Sequence, residues 1–477
     1  MFKKSIYKYF GLAVICAAYT ACKLPEVAQR AENKNVPAGY SDSQDSLNSA
    51  NIQWKTFFTD PNLVNLIDTA LKNNQELNIT LQDIEIARNE IRARKGDLLP
   101  TLGYSVGAGI DKVGRYTSSG AGDASTEITP GKGVPEILPD YRFGVQANWE
   151  ADIWHKLRNA KKSAVNHYLS TVAGKNFVVT NLVAEVANSY YELLALDNQL
   201  DIVKQNIKIQ SDALELMKIQ KEATRVTELA VRKFQAEVLS SRSLQFSIEQ
   251  DITEAENKIN FLLGRYPQTI IRDGKNFTDL VPPTIASGIP SQLLANRPDI
   301  KQAELELAAA KLDVKVAKAQ FYPSLGISAT VGYQAFNPGY LLRTPESIIY
   351  SLAGDLAGPL INKNAIKAEY LTANAKQLQA VFDYEKTILN GYIEVANQMS
   401  NINNLQRSYD LKNQQVKALT ESIEISNALF RSSRADYFEV LMTQRDALQS
   451  KLELIETKKQ QLNAVVNIYH ALGGGWN

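Results

Sequence analysis

The chain has 477 residues, 44% of them hydrophobic and 22% charged, with 52 basic side chains against 51 acidic ones. That balance leaves no basic excess for a nucleic-acid scaffold, and a mean hydropathy of −0.24 argues against a bundle of membrane-spanning helices. Three scattered histidines (His155, His167, His470) and two cysteines (Cys16, Cys22) provision enzyme chemistry thinly.

Lys3, Lys4 and Lys8 precede an apolar stretch from Tyr9 to Ala21 with no stop-transfer cluster behind it. Residues 1–21 therefore read as a secretory signal. Ala21 directly precedes Cys22, which resembles a bacterial lipoprotein signal, whose cysteine is acylated and becomes the mature N-terminus. Tyr19 stands where such signals favour Leu, and Cys16 fits worse because bulky Ile15 precedes it. With Cys22 acylated, the mature chain keeps neither a free thiol nor a disulfide. The polar stretch 31–51, within an N-terminal segment 22–60, reads as a tether rather than a core element.

A helical pattern over 63–95 then runs to Pro100. Two alternating stretches follow. In 101–111, Leu102, Tyr104, Val106, Ala108 and Ile110 alternate with small or polar residues, and in 141–150 Tyr141, Phe143, Val145, Ala147 and Trp149 do the same. The connection between them, 112–140, is rich in Gly, Ser, Thr and Pro and reads as an external loop. A helix over 155–222 contains no proline and only Gly174 as glycine, and at 1.5 Å per residue it would reach roughly 100 Å. Its apolar seam (Val179, Val183, Val186, Tyr190, Leu193 and onward to Met217) steps by threes and fours as in a left-handed coiled coil, interrupted by Asp197 and Gln210. A shorter helix over 226–263 follows, and the next unit's opening helix is placed to extend it end to end. After a linker at 271–290 the order repeats: a helix over 302–320, strands at 324–334 and 347–356 joined by a shorter loop, and helices over 362–432 and 436–472.

The repetition also shows in short motifs at matching spacing, identical in Glu-Val-Ala-Asn and Leu-Gly and similar in the others. Asn73-Asn-Gln-Glu-Leu77 and Pro100-Thr-Leu-Gly103 recur, at one shared offset, as Asn296-Arg-Pro-Asp-Ile300 and Pro323-Ser-Leu-Gly326. Glu185-Val-Ala-Asn188 and Leu263-Gly264 recur, at a second shared offset, as Glu394-Val-Ala-Asn397 and Leu472-Gly473. Four colinear matches on two offsets indicate one unit used twice, at 61–270 and 291–477; the period is too long for a solenoid.

Strict alternation over about ten residues, with aromatics towards the ends, is what a transmembrane β-strand requires, one face to lipid and the other to water. A half-buried sheet in a soluble protein gives the same period. The polar face of Gly, Ser, Gln and Asn, with a secretory signal upstream, favours the membrane reading. Four strands cannot close a barrel, and an open sheet edge is not tolerated in lipid. The chain is therefore expected to oligomerise, three copies giving twelve strands.

Taken together, the strand–strand–helix–helix unit used twice, Asn296-Arg-Pro-Asp-Ile300, Pro323-Ser-Leu325, the segment Phe430-Arg-Ser-Ser-Arg-Ala-Asp-Tyr-Phe-Glu-Val-Leu441 and the closing Ala471-Leu-Gly-Gly-Gly-Trp476 resemble the TolC-like outer membrane efflux proteins, in their lipoprotein branch. The resemblance covers nearly the whole mature chain. It implies a mainly α fold with a transmembrane β-barrel: a homotrimer whose twelve-stranded barrel in the outer membrane continues into a periplasmic α-barrel tunnel. An equatorial belt would come from the termini and the 264–290 connector. It further implies a lipid-anchored outer-membrane location, a periplasmic membrane-fusion adaptor, an inner-membrane pump of the resistance-nodulation-division class, and a passive conduit for small molecules without cofactor or metal. In that family the tunnel closes where the long helices turn back, here near 223–229 and 433–439. Around a three-fold axis a carboxylate ring repels anions, attracts cations and is costly to dehydrate, and Arg–carboxylate links can hold a closed state. The gate candidates are Glu439, where the family places an acid, with Asp436, Arg434, Arg225 and Glu228. A second family acid is Met442 here, and the usual tip glycine is Ser433. The alternatives are a type I secretion conduit for proteins and a pore-less, lipid-anchored periplasmic coiled coil; the latter leaves the four alternating strands unexplained.

Overall fold

The computed structural model describes residues 25–40, 47–274, 277–283 and 285–476. The signal segment and Cys22 lie outside the described residues. The chain divides into two compact units, one holding Ile86–Tyr168 and Leu305–Val381, the other Glu32–Glu85, Leu169–Glu304 and Phe382–Asn477.

The main elements are helices α1 (Pro61–Asn73) and α2 (Gln75–Gly96), strands β1 (Thr101–Asp111) and β2 (Leu138–Ala151), and helices α3 (Lys156–Glu222) and α4 (Glu228–Leu262). The second half supplies α5 (Pro298–Ala319), β3 (Ser324–Ala335), β4 (Ile348–Ala357), α6 (Asn364–Arg431) and α7 (Tyr437–Ala471). The connection after β1 is more than loop: it carries a short helix, Ser118–Ser125, and a small ladder of Glu127–Thr129 on Lys132–Gly133.

In the first unit the four strands form one antiparallel sheet in chain order, β2 of the first repeat pairing with β3 of the second. Its register aligns the alternating residues into rows. Tyr104, Val145, Val331 and Tyr350 form one row, and Val106, Phe143, Tyr333 and Ile348 the next. This apolar face is uncovered, with Tyr104 85% and Tyr350 84% exposed. The opposite face carries Ser, Gly, Gln, Asn and Thr, and the sheet bends sharply towards it. A Cβ on Gly332 would lie 2.4 Å from the Phe143 carbonyl oxygen, and one on Gly144 2.8 Å from that of Val331. Only glycine permits this approach, and it makes the polar face the concave one. Among the described residues β1 and β4 each have a single neighbour, so both outer edges are unpaired there.

The second unit's core joins Trp54, Phe57 and Phe58 to α1 (Leu63, Ile67), α3 (Val183, Val186, Tyr190, Leu193), α4 (Ile259, Leu262) and α7 (Val466, Tyr469). Gln210 does not interrupt the seam of α3: it is buried and accepts from the Ser241 hydroxyl at 2.8 Å. Asp197 is held by Arg272 of the connector at 2.6 Å. No helix among the described residues is long and apolar enough to cross a membrane, which says nothing of a barrel.

The duplication extends to hydrogen bonds. α4 ends with Gly264 N–H on Phe261 and Arg265 N–H on Asn260; α7 ends with Gly473 N–H on His470 and Gly474 N–H on Tyr469, the same two bonds at the offset that carries Glu185 onto Glu394. Gly264 (φ 65°) and Gly473 (φ 90°) sit in the left-handed region, where a Cβ would meet the carbonyl oxygens of Asn73 at 2.4 Å and Asn296 at 2.5 Å. Beside them Asn74 Nδ2 donates to the Leu262 carbonyl at 3.0 Å, and Arg297 Nη1 donates to that of Ala471 at 2.8 Å. The end of α4 is therefore met by α2 of its own repeat, at the break that Asn74 makes between α1 and α2. This corrects the expectation of one helix over 63–95 and of an extension by the next unit's opening helix. An asparagine at this point ends α1 through its backbone N–H and starts α2 by accepting from Leu77 N–H at 2.9 Å.

Candidate functional site at the helix tips

Both hairpin tips are closed by one backbone device. At the end of α3, Arg225 N–H donates to the Gln220 carbonyl at 2.8 Å and Thr224 N–H to that of Lys221 at 2.9 Å. At the end of α6, Arg434 N–H donates to Leu429 at 2.9 Å and Ser433 N–H to Phe430 at 3.0 Å. These are Schellman turns, which need a residue with positive φ after the last helical turn. Thr224 (φ 52°) and Ser433 (φ 57°) occupy it. Glycine takes that conformation freely and other residues at a cost of about 1–2 kcal/mol.

The helices that leave the turns start differently. The Thr227 hydroxyl caps α4, accepting from Ala230 N–H at 3.4 Å. Asp436, its counterpart in the second repeat, holds the same position before α7, yet its carboxylate makes no cap bond; the two starts share only the backbone bond, Ala230 N–H to the Thr227 carbonyl and Glu439 N–H to that of Asp436, each at 3.1 Å.

The side chains diverge further. In the first tip Glu228 pairs with Lys221 and with Arg232, the latter at 2.7 Å. The Lys221 ammonium, helped by Arg232, holds the Glu228 carboxyl below its ordinary value. The counterparts of Lys221, Glu228 and Arg232 in the second repeat are Phe430, Tyr437 and Leu441, which pack with Met217, Val231 and Phe234 into the cluster between the two tips. Glu228 is thus engaged within its own hairpin. Arg225, Arg434, Asp436 and Glu439 are exposed and form no ion pair among the described residues. Lys221, Arg232 and the apolar cluster are absent from the sequence-based set of tip residues. The offset between the repeats, applied side chain by side chain, is the signal that finds them.

The N-terminal stretch is more than a tether. In the first unit Val27 packs on Phe321 and Tyr370. In the second, Asn33 N–H donates to Glu385 at 3.0 Å, Lys34 pairs with Glu304 at 2.9 Å, and Tyr40 stacks on Tyr392 at 5.4 Å. Ser49 and Ala50 are buried, and Ser49 N–H bonds the Ala286 carbonyl at 2.9 Å. A polar composition hides such a strap because its hold is backbone hydrogen bonds, one lysine and one aromatic ring.

The comparison with known families rests on both repeats. A model described as "Outer membrane efflux protein" matches residues 66–265 and 289–474. The chain belongs to this outer membrane efflux protein family. It is 29% identical over 439 residues to the pyoverdine export outer membrane protein OpmQ of Pseudomonas aeruginosa, covering 92% of this chain and 90% of that protein. It is 26% identical over 466 residues to the cation efflux system protein CusC of Escherichia coli K12, covering 97% and 98% of the two chains. A crystal structure of a membrane protein from Pseudomonas aeruginosa superposes with a TM-score of 0.84 at 25% identity, over 95% of this chain and 100% of that one. The open-state MtrE channel of Neisseria gonorrhoeae superposes with a TM-score of 0.82 at 21% identity, over 95% and 98%. The fold is thus that of the TolC-like channels, and this efflux protein is an outer-membrane exit channel with its helical part on the periplasmic side.

Proposed function

We propose that three copies of this chain close their sheets into a twelve-stranded barrel. The channel then conducts small molecules passively when docked to a periplasmic adaptor and an inner-membrane pump of the resistance-nodulation-division class. The observation that carries this reading is the sheet: a convex, uncovered apolar face, a concave polar face and two unpaired edges. Lipid accepts such a sheet only when each edge finds a partner. Residues 61–270 and 291–477 act in this reading as two quasi-equivalent units, so a trimer presents six similar hairpin tips. Asp436 and Glu439, exposed and without an ion pair among the described residues, line the closed tip, with Arg225 and Arg434 beside them as the groups available to link neighbouring hairpins. Glu228 serves its own hairpin instead. Cys22 is acylated: the chain from it to Val27 spans roughly 17 Å at most, and Val27 packs against the opening turns of α6, which starts soon after β4. The chain itself does no chemistry on its cargo.

Planar-bilayer recording of the purified full-length protein tests this. Discrete conductance steps with cation preference are expected, together with a heat-modifiable trimer on gels. Asp436→Ala with Glu439→Ala should raise conductance and weaken that preference. A silent protein would refute the channel assembly, and unchanged conductance and selectivity in the double variant would remove the two acids from the gate.

A further inference from the structure

We infer that the helix ends next to the sheet form a basic collar that docks on the anionic phospholipid headgroups of the leaflet facing the periplasm. This rests on the barrel reading above. The antiparallel order brings the start of β1, the end of β2, the start of β3 and the end of β4 to one edge of the sheet. Each linker at that edge leads into or out of a helix.

Those linkers expose apolar and aromatic side chains: Leu99 (59%), Trp154 (46%) and Ile361 (89%). The Trp154 indole N–H donates to the Pro323 carbonyl at 2.8 Å, and its ring stacks on Tyr322 at 4.7 Å. On the helical turns beyond the linkers come six exposed cations: Arg92 and Lys95 on α2, Lys162 on α3, Lys315 and Lys318 on α5, and Lys367 on α6. None of the six is paired with a carboxylate among the described residues.

Most carboxylates on the same turns are already engaged. Arg94 pairs with Glu90 at 2.8 Å and with Asp97 at 3.6 Å. Asp152 accepts from Leu157 and Arg158 N–H, both at 2.9 Å, at the start of α3. His167 faces Glu306 at 3.0 Å and Asp313 at 3.9 Å. Among the described residues, internal pairing therefore engages these acids and leaves the six cations without an ion-pair partner. The four strands of the sheet show the reverse balance, with Arg142 their only cation against Asp111, Asp140, Glu150 and Asp355. The succession of an apolar sheet face, exposed apolar and aromatic linkers, and then free cations is that of a bilayer edge. An anionic glycan would satisfy the lysines and leave Leu99 and Ile361 in water. A lipid leaflet accommodates both.

The test is native mass spectrometry of the full-length protein released from micelles holding equal amounts of phosphatidylglycerol and phosphatidylcholine with matched acyl chains. Each cation close to an anionic surface favours binding by about fivefold, so the protein should retain phosphatidylglycerol at least about tenfold over phosphatidylcholine, and less so at high salt. The variant Lys162→Gln, Lys315→Gln, Lys318→Gln, Lys367→Gln should lose most of that preference while keeping its gel mobility and conductance. A conducting oligomer without the preference, a variant that retains it, or capture on insoluble peptidoglycan in its place would overturn the collar alone. A chain that forms no conducting oligomer would overturn the barrel reading and the collar with it.

Discussion

The two repeats share a backbone and differ in the chemistry that fixes it. Where α4 meets α2, a neutral asparagine, Asn74, bridges to the last turn. Where α7 meets α5, Arg297 does so, only 3% exposed and held by Asp299 at 2.7 Å and Glu394 at 2.6 Å. Burial works against that charge and the two carboxylates outweigh it, so the guanidinium is held above its ordinary value. At the tips the polarity is inverted: the first repeat uses Lys221–Glu228–Arg232 and the second uses Phe430–Tyr437–Leu441 at the same positions. Backbone turns are therefore the duplicated feature, and side chains are free to diverge once the turn is made. That divergence gives a pseudo-symmetric channel two kinds of tip.

The largest effect is expected at the charged junction. Arg297→Asn imposes the first repeat's solution on the second and strands two carboxylates, costing about 3–5 kcal/mol, readable as a lowered melting temperature. Next comes Leu441→Arg, which places the first tip's residue in the apolar cluster of the second. Leu441 is 5% exposed, and an unpaired charge there should cost about 3 kcal/mol and raise hydrogen exchange in both tips. Thr224→Gly should stabilise its turn by about 1 kcal/mol, and Ser433→Gly by less because serine is not β-branched. Hydrogen-exchange protection of the two turns ranks them.

The smallest effect concerns pH. The Glu228 carboxyl is held low by Lys221, so its contribution is present at neutral pH and is lost as pH falls through that depressed value. A fluorophore beside the first tip should report loosening in acid, and one beside Phe430 should not. Because Glu228 is exposed, the change should be local, with no measurable shift in global melting.

Much of this was legible in the sequence. The alternation of Leu102, Tyr104 and Val106 defines β1 because a lipid-facing strand has no other way to bury its face. The proline-free run with its apolar seam gives α3. The break at Asn74 was not legible, because its neighbours on both sides continue the helical pattern and its reason is the distant Leu262 carbonyl. Nor was the strap at Asn33, Lys34 and Tyr40, whose partners Glu385, Glu304 and Tyr392 all lie in the other half of the chain. Among the gate candidates, Glu228 is diverted by Lys221 across the turn, a pairing that residue spacing alone does not distinguish from solvent exposure.

The central claim is that the unpaired edges, β1 and β4, meet between copies. Within one sheet these strands are separated by β2 and β3, so no intramolecular link can join them. Pairing one cysteine on β1, at Ser105, with a series along β4, at Ser351, Ala353 and Asp355, and oxidising the membrane-inserted protein, provides the most direct measurement. Covalent trimers at one register and none at its neighbours are predicted; uncrosslinked monomers at every register, in protein that has inserted, would contradict it.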